Sequence, residues 1–505
     1  MQSQNITSVN TIRHASGQKK SPTELFEMFW PDEFFGYVKV QSELYARQCN
    51  ATSKFEVDIQ ELELFFAVLM ISGYSSLPRR DMYWSLDADI TNPAVAEAMS
   101  RNRFRDILKN LHFADNTKMS ADDKFAKVRP LIDHLNERCI KLLPPDVEHV
   151  DVDESMIPYY SHHGCKQRIQ GKPIRYGFKF WSLNASDGYL ISTEPYQGIG
   201  TMLSHGEFGL GSSVVLTFAD RLAENFNGQR FYFYTDNFFT GLPLIREMSA
   251  LKFGCTRTIR SNRVENCPLT GRQFDKECRG AVKSYVTSGT SKLTVLQWKD
   301  NAVVRMASNC YGIAPTRSAR RWSAADKKHI TVDMPHAISM YNLFMGGTDQ
   351  MDRNIAEYRV KLRNNKWWWQ VFTHLMSASV SNAWILYRRQ VRSGKAALTD
   401  CYYEGEEVPR LDLLGFIRKI VATYLLLFGE QRSLGRPPSS ASHTVLVRKV
   451  PESVRLSSDV QHYPENVKHG RCRVCHKNTT FGCGVCRINV HPVNCYREYH
   501  KQGTE

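Results

Sequence analysis

The spacing of apolar residues predicts helices in the first part of the chain. Apolar positions recur at helical spacing over 59–71, 101–113 and 130–143. Ser21 followed by Pro22 is typical of a helix start, because serine caps the first turn and proline fits its first position. We therefore expect a polar, disordered tail over 1–21 and an all-helical region over 22–145.

The period of the apolar pattern then changes from helical spacing to strict alternation. Alternation is typical of a half-buried strand, and a strand that ends in a carboxylate is a candidate for chemistry. The predicted order is strand 147–153, strands 176–183 and 188–194, helix 212–225, strand 230–236 and helix 241–251. This order predicts an α/β domain with a mixed sheet over 146–260.

The remaining segments differ in composition. Residues 261–334 contain short β-like runs and basic residues, and we interpret them as an insertion into the α/β domain. Helices are predicted over 358–389, with three tryptophans (367–369) inside the first of them, and over 411–427. The Pro- and Ser-containing segment 431–464 is typical of a linker. Residues 465–505 hold the cysteine-rich end of the chain. The divisions after the insertion are therefore 335–356, 357–430, 431–464 and 465–505.

The composition is that of a globular protein with an unusual charge. Apolar residues make up 42% and charged residues 23%, while the net charge is +15. Such a charge favours a polyanionic partner, with nucleic acid ranked before an anionic membrane. No apolar run approaches the roughly 18 residues that a spanning helix needs, and the first residues lack a secretory signal. We expect no membrane association and no small-molecule substrate.

Several carboxylates stand where strands end or helices begin. Asp236 ends one predicted strand, and either Asp151 or Asp153 fits on another, because both share one face. Asp349 and Asp352 follow two glycines and lie three residues apart, although a carboxylate at a helix start is also an ordinary cap. Three carboxylates held close together need cations to stay ionised, and two Mg²⁺ ions suit such an oxygen-only site. Phosphodiester displacement is the corresponding chemistry.

The cysteines near the C-terminal end predict zinc. Two Cys-x2-Cys pairs are followed by histidines and a further cysteine, and thiolates and imidazoles are the ligands that Zn²⁺ prefers. The seven candidate ligands are one short of two complete sites, so one or two zinc ions are expected. His462, His469 and His476 are the candidates for an eighth ligand. The seven are Cys472, Cys475, Cys483, Cys486, His491, Cys495 and His500.

Clusters of basic residues are candidates for contacts with a DNA backbone, and the alternative is an ordinary solvated loop. Phosphate contacts position a protein on DNA without specifying sequence. The candidates are Lys166, Arg168, Lys172 and Arg175 near the strand that carries Asp151 and Asp153, Arg320 and Arg321 in the insertion, and Arg471 and Arg473 beside the cysteines.

Four separated blocks carry a resemblance to a known family. They are VDESMIP at 152–158, GKPIRYGFK at 171–179, YTDNFFT at 234–240, and YN at 341–342 followed by MGGTDQMD at 345–352. In these blocks the chain resembles the piggyBac-type DNA transposases and the proteins derived from them. Thr348 departs from the more usual Gly-Gly-Val-Asp, a change that leaves the carboxylates in place. From this resemblance we expect the family's long acidic N-terminal region to be missing or truncated.

The resemblance implies a ribonuclease H-like catalytic domain with a three-aspartate metal site. Carried over block by block, the acids are Asp153, Asp236 and Asp349, with Asp352 as a further acid. The resemblance also implies that the regions 22–145 and 357–430 form one dimerisation and DNA-binding domain. It further implies that 261–334 is the family's insertion domain and that the cysteine-rich end is a cross-braced, two-zinc module for transposon-end DNA.

The implied activity is cut-and-paste transposition. Water cleaves a strand at the transposon end, the freed 3′-hydroxyl forms a hairpin, and the opened end joins a TTAA target. The expected partners are DNA and a second copy of the chain, and the expected location is the nucleus. The alternative hypothesis is a transposase-derived, sequence-specific DNA-binding protein that no longer transposes.

Overall fold

The computed structural model describes most of the chain and divides it into two compact units. The first unit contains residues 116–357 and 364–386, and the second contains 19–115, 358–363 and 387–505. Most of the predicted tail and linker lies outside the described residues. Those described are 20–87, 89–239, 241–263, 267–269, 272–288, 292–324, 326–393, 402–403, 406–407, 410–429, 450, 455–456 and 461–501.

The helices and strands are numbered in chain order. The α-helices are α1 Pro22–Glu27, α2 Asp32–Cys49, α3 Ile59–Tyr74, α4 Pro93–Ala98, α5 Arg101–Asn110, α6 Arg129–Lys141, α7 Leu210–Asn225, α8 Leu242–Ala250, α9 His336–Phe344, α10 Gly347–Glu357, α11 Trp369–Ser393, α12 Leu413–Phe428 and α13 Asn494–Tyr499. The strands are β1 His149–Pro158, β2 Lys166–Arg168, β3 Tyr176–Ala185, β4 Leu190–Pro195, β5 Tyr232–Thr235, β6 Gly254–Thr258, β7 Val282–Val286, β8 Thr294–Lys299, β9 Val303–Ser308, β10 Arg317–Ser323, β11 Lys328–Met334, β12 Tyr402–Tyr403, β13 Glu406–Glu407, β14 Pro464–Arg471, β15 Asn478–Cys483 and β16 Ile488–Asn489.

A nine-stranded mixed sheet forms the centre of the first unit. Its strand order is β2-β3-β1-β5-β6-β9-β8-β7, with β4 paired to β3. The strands β1, β5 and β6 run parallel to one another, and the other pairings are antiparallel. The mixed sheet expected from the alternating segments is therefore present. Parallel neighbours bring their carboxyl ends to the same edge, which is where functional groups gather in such sheets.

Helices cover the sheet of the first unit. Met351 and Ile355 of α10 pack with Leu190 of β4 and Ala378 of α11 in one buried cluster. Asn382 of α11 also pairs with both backbone groups of Leu190, accepting at 2.8 Å and donating at 2.8 Å. These contacts hold α10, the helix that carries two of the candidate acids, firmly against the strands.

The second unit is helical around an aromatic core. Trp30, Phe35 and Phe66 are fully buried, and the Trp30 and Phe66 rings meet edge to face at 4.8 Å between centroids. Helix α3 is apolar on nearly all sides and packs against α12 and α2. The three-stranded sheet β14-β15-β16 and α13 make up the cysteine-rich end of this unit. Among the helices of the described segments, none has the length and apolar character that crossing a bilayer requires.

Three features differ from the expected pattern. Helix α6 packs against β4, so the first unit begins near residue 116. Strands β7–β9, in the predicted insertion, add to the main sheet through the antiparallel pairing of β9 with β6, whereas β10 and β11 form a separate sheet. The helix expected from residue 358 begins only at Trp369. The Asn364 side chain accepts a hydrogen bond from the Lys366 backbone at 3.1 Å, and such local bonds compete with helix formation.

Candidate functional site

Asp153 and Asp236 lie at the same end of two neighbouring parallel strands. Val152 of β1 is opposite Thr235 of β5, and the two aspartates are the next residues on each side. Burial, reinforced by the charge of Glu154, raises the pKa of Asp153 to about 8. Burial also raises the pKa of Asp236. Both carboxyls therefore lie in surroundings that favour a proton, or a cation, on the oxygen atoms.

The turn after β5 holds Asp236 in place. The backbone N–H of Phe238 donates to Asp236 Oδ1 at 2.7 Å. Arg260 Nε donates to Asn237 Oδ1 at 2.9 Å, and Arg263 Nη1 donates to the Phe238 carbonyl at 3.4 Å. The position of the carboxylate thus depends on how the residues immediately after it are fixed.

The two glycines before Asp349 bring the chain back to the sheet. Gly346 has a φ of +118°, which L side chains rarely adopt. A Cβ on Gly347 would lie 2.2 Å from the Ala185 carbonyl oxygen and 2.3 Å from Asp151 Oδ1. The first glycine therefore makes the turn, and the second allows the start of α10 to approach β3 and β1 closely.

Helix α10 presents its two aspartates near the end of β1. The helix begins at Gly347, so Asp349 lies inside the first turn and not at the cap position, and its side chain is exposed. Asp352 Oδ1 accepts a hydrogen bond from Ser155 Oγ at 2.6 Å. A charge-assisted hydrogen bond of this length fixes the second carboxylate against the strand that carries Asp153.

Asp151 lies on the same strand as Asp153 but in different surroundings. Its side chain is fully buried, and Oδ2 accepts from the Thr348 backbone N–H at 3.1 Å. Burial raises the pKa of Asp151 to about 7. Asp151 supports the start of α10 from inside the protein, whereas Asp153 remains partly accessible.

The pKa of Lys172 shows that four of the acids lie close to one another. Lys172 Nζ lies 3.7 Å from Glu154 Oε1. Burial acts to lower the pKa of Lys172, but four nearby carboxylates outweigh burial and raise it. These carboxylates are Asp153, Glu154, Asp349 and Asp352. Their oxygen atoms are nevertheless not within mutual reach of one ion, since within the described part of the chain only Cys–His groups bring three ligand atoms within 4.8 Å.

Two Cys–His groups at the C-terminal end could each hold a metal ion. All seven cysteines and histidines predicted as ligands fall into these groups, together with His462 as the eighth residue. The ligand atoms within each group lie within 4.8 Å of one another. One group is His462, Cys483, Cys486 and His500, and the other is Cys472, Cys475, His491 and Cys495.

The two Cys-x2-Cys turns have the same local geometry. Each is closed by a backbone hydrogen bond to the carbonyl of its first cysteine, from His476 N–H at 2.9 Å and from Arg487 N–H at 2.7 Å. Both donors are left-handed, with φ of +59° at His476 and +49° at Arg487. Their repeated geometry indicates two knuckles, each of which delivers two thiolates to one site.

The eighth candidate zinc ligand is His462, which the sequence alone does not distinguish from His469 and His476. His462 Nδ1 lies 3.4 Å from the sulfur atoms of both Cys483 and Cys486. His469 is exposed on β14, and His476 serves as the left-handed turn residue. His462 lies before the cysteines with no pattern linking it to them, so only the folded chain distinguishes it from the other two.

The predicted DNA-contacting residues lie in three places. Lys166 and Arg168 are on β2, where the Arg168 guanidinium lies 5.8 Å from the centroid of the Tyr176 ring, and Arg175 is exposed just before β3. Arg320 is exposed on β10, but Arg321 is paired with Asp300, with Nε 2.9 Å from Oδ2. Near the knuckles, Arg471 is exposed and Arg473 is half-buried.

Comparison with known proteins places the chain among the transposases. Residues 21–384 match the family model described as Transposase IS4. The human PiggyBac transposable element-derived protein 3 is 36% identical over 96% of this chain and 77% of its own length. The human PiggyBac transposable element-derived protein 2 is 34% identical over 97% and 78%.

A solved structure also matches the fold. A piggyBac transposase synaptic complex with hairpin DNA aligns with a TM-score of 0.64 and 20% identity, over 81% of each chain. This match concerns the fold, and the family model and the human relatives identify the family. The chain belongs to the piggyBac transposase family.

Proposed function

We propose that the protein is a piggyBac-like DNA transposase that cleaves and joins DNA strands in a reaction dependent on divalent metal. The observation that supports this proposal most strongly is the gathering of acids from three separated segments around the end of β1. Burial raises the pKa of both Asp153 and Asp236. Such carboxyls are poised to receive metal ions.

The topology of the sheet supports a ribonuclease H-like assignment. The strands β1, β3 and β4 are antiparallel neighbours in the sheet. They are followed in the chain by β5 and β6, which lie on the other side of β1 and run parallel to it. In this arrangement the ends of β1 and β5 are adjacent at the centre of the sheet, and α10 crosses close to them.

The oxygen-only donor set fits Mg²⁺, with Asp153, Asp236 and Asp349 as the proposed ligands. When bound, a pair of Mg²⁺ ions would activate the attacking oxygen and stabilise the leaving oxygen of a phosphodiester. The protein itself orients the ligands. The Phe238 N–H holds Asp236, and Ser155 Oγ holds Asp352, which we assign a supporting role. The partial exposure of Asp153 favours it over the fully buried Asp151.

The Cys–His groups fit Zn²⁺. A tetrahedral zinc with ligands at 2.3 Å (sulfur) and 2.0–2.1 Å (nitrogen) separates sulfur from nitrogen by about 3.6 Å. The corresponding distances here are 3.4 Å for Cys475–His491, 3.4 Å for Cys486–His462 and 3.5 Å for Cys486–His500. We assign two structural zinc ions to a module that binds transposon-end DNA. Four protein ligands leave no open position, so this module performs no chemistry.

DNA is the proposed partner, both as transposon ends and as a TTAA target. The net charge of +15 supports this proposal, as does the exposure of Arg168, Arg175, Arg320 and Arg471. Arg321 is a weaker candidate, because its ion pair with Asp300 would have to be given up. We further propose that the protein acts as a homodimer in the nucleus, since both transposon ends must be processed together.

A second candidate is a DNA-binding protein that no longer transposes. The names of the human relatives, which describe proteins derived from transposable elements, favour it. In that case the fold and the Cys–His module would retain a function while the carboxylates did not.

Plasmid excision in cells separates the two candidates. The substrate is a plasmid with the terminal repeats that flank the coding sequence, and the variants are Asp349→Asn and, as a matched exposed acid on α8, Glu247→Gln. We expect excision to fall at least about a hundredfold in the first variant, because removing a metal ligand costs several kcal/mol of transition-state stabilisation. The second variant should match wild type. No excision by wild type, or equal excision by Asp349→Asn, would reject the transposase proposal.

A further inference from the structure

A lysine beside the candidate active site is enclosed by aromatic rings. Lys179 Nζ lies 4.0 Å from the centroid of the Trp181 ring, 4.2 Å from Tyr196 and 5.4 Å from Phe238. Within the described residues, no carboxylate oxygen lies within 4.0 Å of this ammonium. An ammonium facing several rings is attracted by their electron-rich faces, and the attraction strengthens as water is excluded.

Two of these rings bind the strand to the turn that carries Asp236. Trp181 belongs to β3 and is buried, with 1% of its surface exposed, whereas 39% of Phe238 is exposed. The Phe238 ring nevertheless stacks on Trp181, with 5.3 Å between centroids and 25° between planes. Lys179 lies against both rings. It therefore supplies a contact that can keep an otherwise accessible ring in one position.

The position of Phe238 matters because its backbone holds a candidate metal ligand. The same residue that inserts its ring beside Lys179 donates its N–H to Asp236 Oδ1 at 2.7 Å. On the other side of the turn, Gly211 of α7 packs so closely that a Cβ there would lie 2.8 Å from the Phe238 carbonyl oxygen. Any shift of the Phe238 ring is thus transmitted to the carboxylate two residues earlier.

We infer that Lys179 is a positioning residue. By holding the Phe238 ring beside the rings of Trp181 and Tyr196, it orients the Asp236 carboxylate for metal binding. This inference rests on the proposed function, because it assumes that Asp236 is a metal ligand. In this role the Lys179 ammonium favours the binding of a divalent metal ion, whereas its positive charge alone would disfavour it.

Whether removing Lys179 strengthens or weakens metal binding distinguishes a positioning role from two simpler roles. A neighbouring positive charge repels a divalent ion, so removing a bystander lysine should strengthen metal binding. A lysine that only contacts DNA phosphate would change DNA affinity and leave metal binding unchanged. A positioning lysine is the case in which removing the positive charge weakens metal binding.

The test measures Mn²⁺ binding to the full-length, zinc-saturated protein by the electron paramagnetic resonance signal of free Mn²⁺. We expect Lys179→Met to raise the Mn²⁺ dissociation constant about fivefold, and Lys179→Arg to restore it, since a guanidinium also binds ring faces. Phe238→Leu should mimic Lys179→Met, and Phe238→Trp should not. Thermal unfolding of each variant checks that the fold is retained.

A double-mutant cycle shows whether the effect passes through Asp236. In an Asp236→Asn background, Lys179→Met should cause no further loss of residual Mn²⁺ affinity. Tighter or unchanged Mn²⁺ binding in Lys179→Met, or full additivity with Asp236→Asn, would overturn the inference while leaving the metal site intact. Absence of Mn²⁺ binding by wild type would instead contradict the proposed function, and the inference with it.

Discussion

The two candidate metal centres differ in how their ligands are distributed along the chain. The Cys–His ligands all fall between residues 462 and 500, and their atoms already lie within 4.8 Å of one another in each group. The carboxylates come from segments nearly 200 residues apart, at Asp153 and Asp349, and do not form such a group.

This difference follows from the chemistry of the ligands. Neutral imidazoles and thiols can approach one another before a metal binds, and short turns fix their spacing. Carboxylates repel one another, and burial adds to the cost of their charges, so they complete a site only when cations and substrate phosphate are present. The first centre is therefore a structural feature of the fold, and the second is prepared by the fold and completed by its ligands.

The largest effect is expected at the Cys–His centre. Replacing Cys483 by Ser should reduce the zinc content from two ions per chain to one, and should unfold the local module, because zinc binding supplies much of the folding free energy of such small domains. Zinc content is measured by mass spectrometry on purified protein. His469→Asn is the matched control, since this histidine is exposed and lies outside both groups. An unchanged zinc content in Cys483→Ser would refute the ligand assignment.

A smaller effect, in stability, is expected from the carboxylates. Asp151 and Asp153 have pKa values raised by burial to about 7 and about 8, so the folded protein holds protons that the unfolded chain releases near pH 4. Without added Mg²⁺, this contribution to the free energy of unfolding is present below about pH 4. It is lost progressively as pH rises from about 4 through 7 and 8, at up to about 1.4 kcal/mol per pH unit for each group. Added Mg²⁺ should reduce the loss, because it stabilises the charged form.

A buried acid elsewhere in the molecule provides the control for this pH dependence. Burial, with the charge of Glu27 adding to it, raises the pKa of Glu63 in the helical unit to about 8. Its contribution has the same sign but should not respond to Mg²⁺. Chemical unfolding of Glu63→Gln from pH 4 to 8 removes one Mg²⁺-independent part of the pH dependence. If Mg²⁺ leaves the pH dependence of this variant unchanged, the carboxylates do not bind the ion.

The features that the sequence predicts well are those encoded locally. The strands predicted at β1 and β3, the acid directly after β5 and the paired cysteines each depend on neighbouring residues. The two glycines before Asp349 are also visible in the sequence, and in the structure Gly346 makes the turn while Gly347 allows the close approach.

The features that the sequence does not predict depend on contacts between distant residues. His462 is separated from Cys483 by 21 positions, and nothing in its surroundings marks it as a ligand. The burial of Asp151 is set by Thr348 and Gly347, which approach only when α10 returns to the sheet. Likewise, Lys179 and Phe238 lie in separate blocks of the sequence, and their contact appears only in the fold.

The central claim is that carboxylates from three separated segments form one site for divalent ions. Its most direct test is the number of Mn²⁺ ions bound per zinc-saturated chain in wild type, Asp153→Asn, Asp236→Asn and Asp349→Asn, with Glu247→Gln as the control. We predict that each aspartate variant loses tight binding of at least one ion, while the control retains all of them. Unchanged Mn²⁺ binding in any of the three aspartate variants would contradict the claim for that residue, and unchanged binding in all three would contradict the site.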